Sequence, residues 1–215
     1  MIEAVVFDLD GVLVDSEQVW DDIRKKYVIA KGGRWTDRAQ RDMMGMSSVE
    51  WSHYVAEELG VDETPEQISK DIASRVGDVY REALPLLPGA RKAVERIAER
   101  WPLAIASSSN REIIDLVLEA ADLGSYFKAT VSSEEVGTGK PAPDVYLEAA
   151  GRLGVDASAC AAIEDSHNGI RSAKSAGMRV IAIPNTHYPP DDQSLALADV
   201  VLPSLDRLTP ETVEP

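Results

Sequence analysis

Hydrophobic positions along the chain follow two rhythms. Near the N-terminus Val5, Val6 and Phe7 form an unbroken apolar run that stops at Asp8-Leu9-Asp10-Gly11, after which Val12, Leu13 and Val14 lead to Asp15. A short β-branched and aromatic run closed by turn formers predicts a strand buried on both faces, as in parallel sheets covered by helices. From Ser16 the spacing becomes three or four: Val19, Trp20, Ile23, Tyr27 and Ala30 predict a helix, stopped by Gly32 and Gly33. A second helix is predicted from Ser48 through Leu59. Thr64 as N-cap and Pro65 in the first turn start a third that runs toward Leu84.

Beyond Pro85, Pro88 and Gly89, one narrow helical face (Ala90, Ala93, Val94, Ile97, Ala98) opens a regular alternation. Strands are predicted at 103–106, 129–131, 161–163, 180–183 and 200–202, with helices around 113–118, 143–153 and 170–176 between them. Such alternation implies right-handed β-α-β units and a doubly wound parallel sheet, an α/β fold. The block 16–82, helical without a strand, then reads as a small α-helical cap domain inserted into a core domain of residues 1–15 and 83–215, placed over the carboxyl edge of the sheet. The acidic, proline-bearing stretch 203–215 reads as a partly loose tail.

A chain of 215 residues with 44% hydrophobic content can build such a core. Lys and Arg number 22 against 37 Asp and Glu, a formal charge of −15, which argues against nucleic acid or an anionic membrane as partner. Any anionic substrate therefore needs a local cationic pocket. Cys160 is the single cysteine and lies in an apolar run, so a buried thiol in a reducing cytoplasm is expected. No apolar stretch approaches the ~18 residues of a membrane span, and no export signal is read at the N-terminus. A monomer is the expected state.

The candidate chemistry collects at strand ends, where open α/β sheets bind ligands. Asp8 and Asp10, two apart, project to one side of an extended segment, and two close carboxylates call for a divalent cation or a shared proton. Ser107 and Ser108 end another strand before a helix, where hydroxyls and free amides make an anion site. Lys140 sits in a loop stiffened by Pro141 and Pro143 and offers a fixed positive charge. Glu164-Asp165-Ser166 closes a further strand, and Asn168-Gly169 opens the following helix. Each of these is equally an ordinary turn or capping residue when taken alone. Together they describe a magnesium and phosphate site assembled from four places. His53, His167 and His187 lack metal-ligand spacing. Met43, Met44, Met46, Trp20 and Trp51 form either an apolar wall to a substrate pocket or the packing of the helical block.

In this order, Asp8-Leu9-Asp10-Gly11-Val12, Ser107, Lys140 within Gly-Lys-Pro-Ala-Pro-Asp, and Glu164-Asp165-Ser166 resemble the four motifs of the haloacid dehalogenase superfamily. The helical insert resembles the cap of its beta-phosphoglucomutase and phosphoglycolate phosphatase branch. The resemblance implies Asp8 as the nucleophile forming an aspartyl-phosphate and Asp10 as general acid and base. It implies Mg2+ held by Asp8, the Asp10 carbonyl and Asp165, with Glu164 behind them or bound through water. Ser107, the Ser108 amide and Lys140 would grip the phosphoryl oxygens. Trp20, Ser109, Asn110 and Arg111 are candidate substrate contacts, Arg111 as partner for a second anion or as a solvated helix residue.

Asp10 argues against a dehalogenase, which has no leaving alcohol to protonate. Beta-phosphoglucomutases carry a cap histidine and a cap arginine where Trp20 and Ser48 stand here. The expectation is a phosphatase acting on a small phosphorylated metabolite such as a sugar phosphate, with a sugar-phosphate mutase as the alternative. A phospho-accepting receiver domain is a more remote reading, because a switch needs no lid of this size.

Overall fold

The computed structural model describes residues 1–214, so only Pro215, the last residue of the expected loose tail, lies outside it. Six parallel strands, β1 (Ala4–Phe7), β2 (Leu103–Ser107), β3 (Phe127–Ser132), β4 (Cys160–Glu164), β5 (Arg179–Ala182) and β6 (Val200–Val201), form one sheet in the order β3-β2-β1-β4-β5-β6. The order reverses at β1, whose neighbours are β2 on one side and β4 on the other. The carboxyl ends of β1 and β4 therefore flank the point where the crevice of a doubly wound sheet opens.

Strand alternation separates two buried layers. Val5, Phe7, Leu103, Ile105, Ile163 and Ile181 face one side, packed with α5 (Ala90–Ala98) and α6 (Arg111–Ala120). Ala4, Val6, Ala104, Ala106, Ala162, Val180 and Ala182 face the other, under α7 (Asp144–Leu153) and α8 (His167–Ser175). The alanines let those two helices approach the sheet closely, and Tyr146 of α7 reaches the strand ends there.

Between β1 and α5 the chain forms α1 (Glu17–Ala30), α2 (Ala39–Met43), α3 (Ser48–Glu57) and α4 (Pro65–Glu82). Thr64 caps α4 through its hydroxyl, which accepts from the Gln67 amide, and Ser47 with Glu50 forms a reciprocal capping box at α3. The short α2 had no periodic signal. Departure and return of this block are stitched together: Val14 bridges Leu86, the Asp15 amide donates to the Pro85 carbonyl, and the Leu87 amide donates to the Leu13 carbonyl.

The expectation of a loose tail is corrected for the described residues. After a short α9 (Asp192–Leu195), α10 (Pro210–Val213) buries Val213 completely. Arg96 of α5 ties the preceding segment down by donating to the carbonyls of Leu205 and Leu208, and the Ile2 amide donates to Glu214. Thr212 takes the place that Glu or Gln holds in the usual capping box, which hid the helix start at Thr209.

Candidate active site

Gly11 shapes the first strand end. It adopts φ +78°, and a side chain there would overlap the Asp165 carboxylate. The turn it permits closes with the Gly11 amide on Val14 O and the Val14 amide on Leu9 O, so that Asp8 and Asp10 stand beside β4.

Lys140, 3% exposed, places its ammonium 3.0 Å from Asp8 Oδ1 and 2.6 Å from Glu164 Oε1. Burial alone would lower its pKa, but the charges of Asp8 and Glu164 outweigh that and hold the ammonium protonated, above its ordinary value. The Tyr146 hydroxyl donates to the same Glu164 oxygen at 2.7 Å, and its ring lies 5.0 Å from Lys140 Nζ. Glu164 Oε2 accepts from the amides of Asp165 and Ser166 and from the Ser166 hydroxyl. The glutamate folds back under the first turn of α8 so closely that any side chain at Gly169 would overlap its carboxylate.

Asp8, Glu164 and Asp165 each offer a carboxylate oxygen within 4.8 Å of the others. Glu164 is saturated by its own donors, so the vacant acceptors belong to the two aspartates: Asp8 Oδ1 has only the Lys140 ion pair, and Asp165 Oδ1 is buried with no hydrogen-bond donor. Burial first, then neighbouring carboxylates, push Asp8 and Asp165 well above the ordinary aspartate range, although Lys140 opposes the shift at Asp8 and Asn185 at Asp165. Crowded, desolvated, donor-poor oxygens of this kind fit a hard divalent cation. Asn185, in the loop after β5, fixes Asp165 by donating to Oδ2 at 3.0 Å.

The Asp10 carboxylate stands outside that trio. Its Oδ2 accepts from the hydroxyls of Ser109 (2.7 Å) and Ser107 (3.3 Å), while Oδ1 is buried without a partner. Ser107 is thus brought to the strand-end cluster as expected, though its hydroxyl is turned to Asp10 and also accepts from the Ser109 amide. The Ser108 hydroxyl donates across to Gly45 O in the helical block.

Over these groups lies a partly open cavity of about 50 Å³, lined by Asp8, Asp10, Lys140 and Asp165 from the sheet side and Trp20, Trp51 and Met43–Met46 from the helical side. The block is closed onto the sheet: Asn168 donates to Met44 O at 2.9 Å, and Ser48 donates to Glu134 at 2.6 Å. Trp20 and Ser109 reach the cavity, whereas Asn110 and Arg111 line a separate surface groove. There Asn110 bonds Ser69 and Glu134, and Arg111 bonds Thr130 and Glu135, so neither faces the cavity as a substrate contact and Arg111 is not placed there to meet a second anion. His53 pairs with Glu57, His167 with Asp191, and His187 with Gln18, all away from the acidic cluster.

Sequence reasoning missed Glu17, Arg24 and Gln40. Glu17 and Arg24 line the cavity, and Gln40 joins them: it donates to Glu17 Oε2 at 2.8 Å and accepts from Arg24 at 3.4 Å. Burial and then the Asp10 charge push Glu17 up to about 7, and burial lowers Arg24 to about 10.

A family model described as haloacid dehalogenase-like hydrolase matches residues 2–177. Hexitol phosphatase B of Escherichia coli strain K12 is 35% identical over 211 residues, 97% of this chain and 95% of that protein. The phosphorylated carbohydrates phosphatase of Thermotoga maritima is 34% identical over 182 residues, 84% of each. The crystal structure of a mutant CbbY from Rhodobacter sphaeroides in complex with xylulose-(1,5)bisphosphate superposes with a TM-score of 0.88 at 25% identity, covering 100% of both chains.

Proposed function

The chain belongs to the haloacid dehalogenase-like hydrolases, and from that premise we propose that this phosphoric monoester hydrolase is a magnesium-dependent phosphatase of small sugar phosphates or similar metabolites, working through an aspartyl-phosphate on Asp8. The observation that supports this reading most is the convergence at one cavity of two carboxylates with different surroundings. Asp8 is paired to a buried ammonium, and Asp10 is held by two serine hydroxyls. One is suited to attack and the other to move protons.

In the first half-reaction an Asp8 carboxylate oxygen forms a bond to phosphorus while the bond from phosphorus to the ester oxygen breaks. Asp10, protonated at that point, gives its proton to the leaving alkoxide, so an alcohol departs. In the second, Asp10 takes a proton from water as the water oxygen attacks phosphorus; the bond to Asp8 breaks, and inorganic phosphate leaves. Lys140 neutralises the transferring group, and Ser107 and Ser109 keep Asp10 aimed at the cavity. Asp8 and Asp165 would hold Mg2+, aided by the Asp10 carbonyl, with Glu164 anchoring Lys140 behind them. Bound there, the cation supplies charge neutralisation for the phosphoryl oxygens and the carboxylates.

The helical block 16–82 acts as a cap that excludes water and selects the substrate, against a core of residues 1–15 and 83–215. A mutase would need a second phosphate grip in the cap. Ser48, at the position of the mutase arginine, is turned out to Glu134, so hydrolysis is favoured. The names of the two similar phosphatases, for hexitols and phosphorylated carbohydrates, agree with this substrate class. The buried Cys160 thiol, raised to about 11 mainly by burial, suits a reducing cytoplasm. Among the described residues no helix is long and apolar enough to cross a membrane.

The test is phosphate release from a panel of sugar phosphates, glycolate phosphate, nucleotides and an aryl phosphate, with Mg2+ or chelator, beside Asp8→Asn. Magnesium-dependent turnover lost in the variant is expected; a folded, Mg2+-binding protein that hydrolyses no ester sinks the reading.

A further inference from the structure

Arg24 is a buried charge to which the reaction above gives no task. The residue is 6% exposed, and its guanidinium lies 4.7 Å from the Trp20 ring and 4.8 Å from the Trp51 ring. One Nη donates to Gln40 Oε1 at a long 3.4 Å, and the Nε–H is buried without any partner. Buried guanidinium donors are rarely left unpaired unless something else satisfies them. Arg24 lines the cavity that holds Asp8 and Asp10, so that partner can be a bound molecule.

Glu17 stands two helical turns before Arg24 on the same face of α1, and Gln40 stands between the two charges, an amide offered to each. The lining of the cavity therefore sets four acids, Asp8, Asp10, Glu17 and Asp165, against two cations. Lys140 is committed to Asp8 and Glu164. The cap side is left with one guanidinium and one carboxyl beside it. A second phosphate or a carboxylate on the substrate would gain Arg24 but face Glu17 in a desolvated space, where like charges are costly. A hydroxyl has no such conflict, because it can accept from Arg24 and donate to Glu17. The flanking indole faces favour a compact, C–H-rich carbon chain.

We propose that Arg24, with Glu17 and Gln40, is the specificity-determining group for the end of the substrate remote from the phosphate, and that it takes the neutral adjacent hydroxyls of a polyol or sugar monophosphate while discriminating against a second anion. This rests on the phosphatase reading above. It separates the chain from the CbbY structure, whose ligand carries two phosphates.

The test compares kcat/KM of the Mg2+-loaded protein on glucitol 6-phosphate, fructose 1,6-bisphosphate, 2-phosphoglycolate and 4-nitrophenyl phosphate, for the wild type, Arg24→Met and Glu17→Gln. The wild type should prefer the hexitol monophosphate to both substrates that carry a second anionic group. In Arg24→Met the ratio of hexitol phosphate to aryl phosphate should fall by about 10–100-fold, carried by KM, the size expected for losing hydrogen bonds from a charged donor. In Glu17→Gln the ratio of bisphosphate to monophosphate should rise several-fold, and this variant keeps the test alive if Arg24→Met fails to fold. Preference of the wild type for the bisphosphate or phosphoglycolate, or ratios that stay within about threefold in both variants, overturns the assignment while leaving the phosphatase reading intact. A wild type that hydrolyses none of the four, the aryl ester included, overturns both.

Discussion

Lys140→Met keeps the unbranched stem of the side chain as far as the ε position and removes its charge, which isolates the role of the ammonium. That ammonium lies 3.0 Å from Asp8 and 2.6 Å from Glu164, and all three side chains are at most 8% exposed. Removing the shared cation leaves two buried carboxylates without compensation, a loss on the order of 3–5 kcal/mol where one partner of a buried ion pair is deleted. For a domain of this size each kcal/mol moves the midpoint by roughly 2–4 °C, so a fall in Tm of about 6–20 °C is expected in chelator. The second carboxylate can regain part of this by protonating, which places the outcome toward the lower end near neutral pH and makes the loss grow as pH rises. Added Mg2+ should recover part of the loss, because it restores positive charge beside Asp8. Activity should fall by about 10²–10³-fold, the usual effect of removing one electrostatic stabiliser of a developing charge. Scanning calorimetry with and without Mg2+, paired with phosphate release, measures both. A variant whose Tm lies within about 2 °C of wild type in chelator, with turnover within threefold, would refute the claim that this ammonium holds the site together.

Gly169→Ala should destabilise by about 1–3 kcal/mol or more, since the new methyl overlaps a Glu164 carboxylate that Lys140 and Tyr146 prevent from moving; chemical denaturation reads it. Asn185→Ala removes the donor that orients Asp165 and should weaken Mg2+ binding by about 10–100-fold in a calorimetric titration. Glu17 titrates at about 7 in the fold against an ordinary 4.5, so its contribution to stability is full below the ordinary value and is lost as pH rises through about 7. Relative to wild type, Glu17→Gln should therefore gain Tm steadily between about pH 5 and 8, by a few degrees once solvent screening of this half-buried group is allowed for; parallel profiles contradict the assignment.

The acids and Ser107 could be read from sequence because strand ends announce themselves: an apolar run stopped by a polar residue marks both the strand and the edge where it opens, while Lys140 was marked by the prolines that stiffen its loop. The three longer helices of the insert followed from apolar spacing, and Thr64 with Pro65 marked the start of the last of them. Glu17, Arg24 and Gln40 gave no such mark. Charged residues on an amphipathic helix usually face solvent, and only the closure of the cap turns this face of α1 inward. Tyr146 carries no mark in the sequence either, because its hydroxyl contact with Glu164 depends on the sheet order. Asn110 and Arg111 follow Ser109 directly in the chain. The first turn of α6 rotates them away, to Glu134 and Glu135. Closure of the cap likewise depends on contacts between residues far apart in the chain, such as Asn168 with Met44.

The central step of the proposed reaction is the covalent attachment of a phosphoryl group to Asp8. Asp10→Asn with an aryl phosphate tests this directly, because an aryl oxide leaves without a proton while the attacking water still lacks its base. Rapid-quench kinetics should show a burst of one aryl oxide per active site, and peptide mass analysis should find one phosphoryl group on the peptide containing Asp8. A burst without label, or label on any other residue, would contradict it.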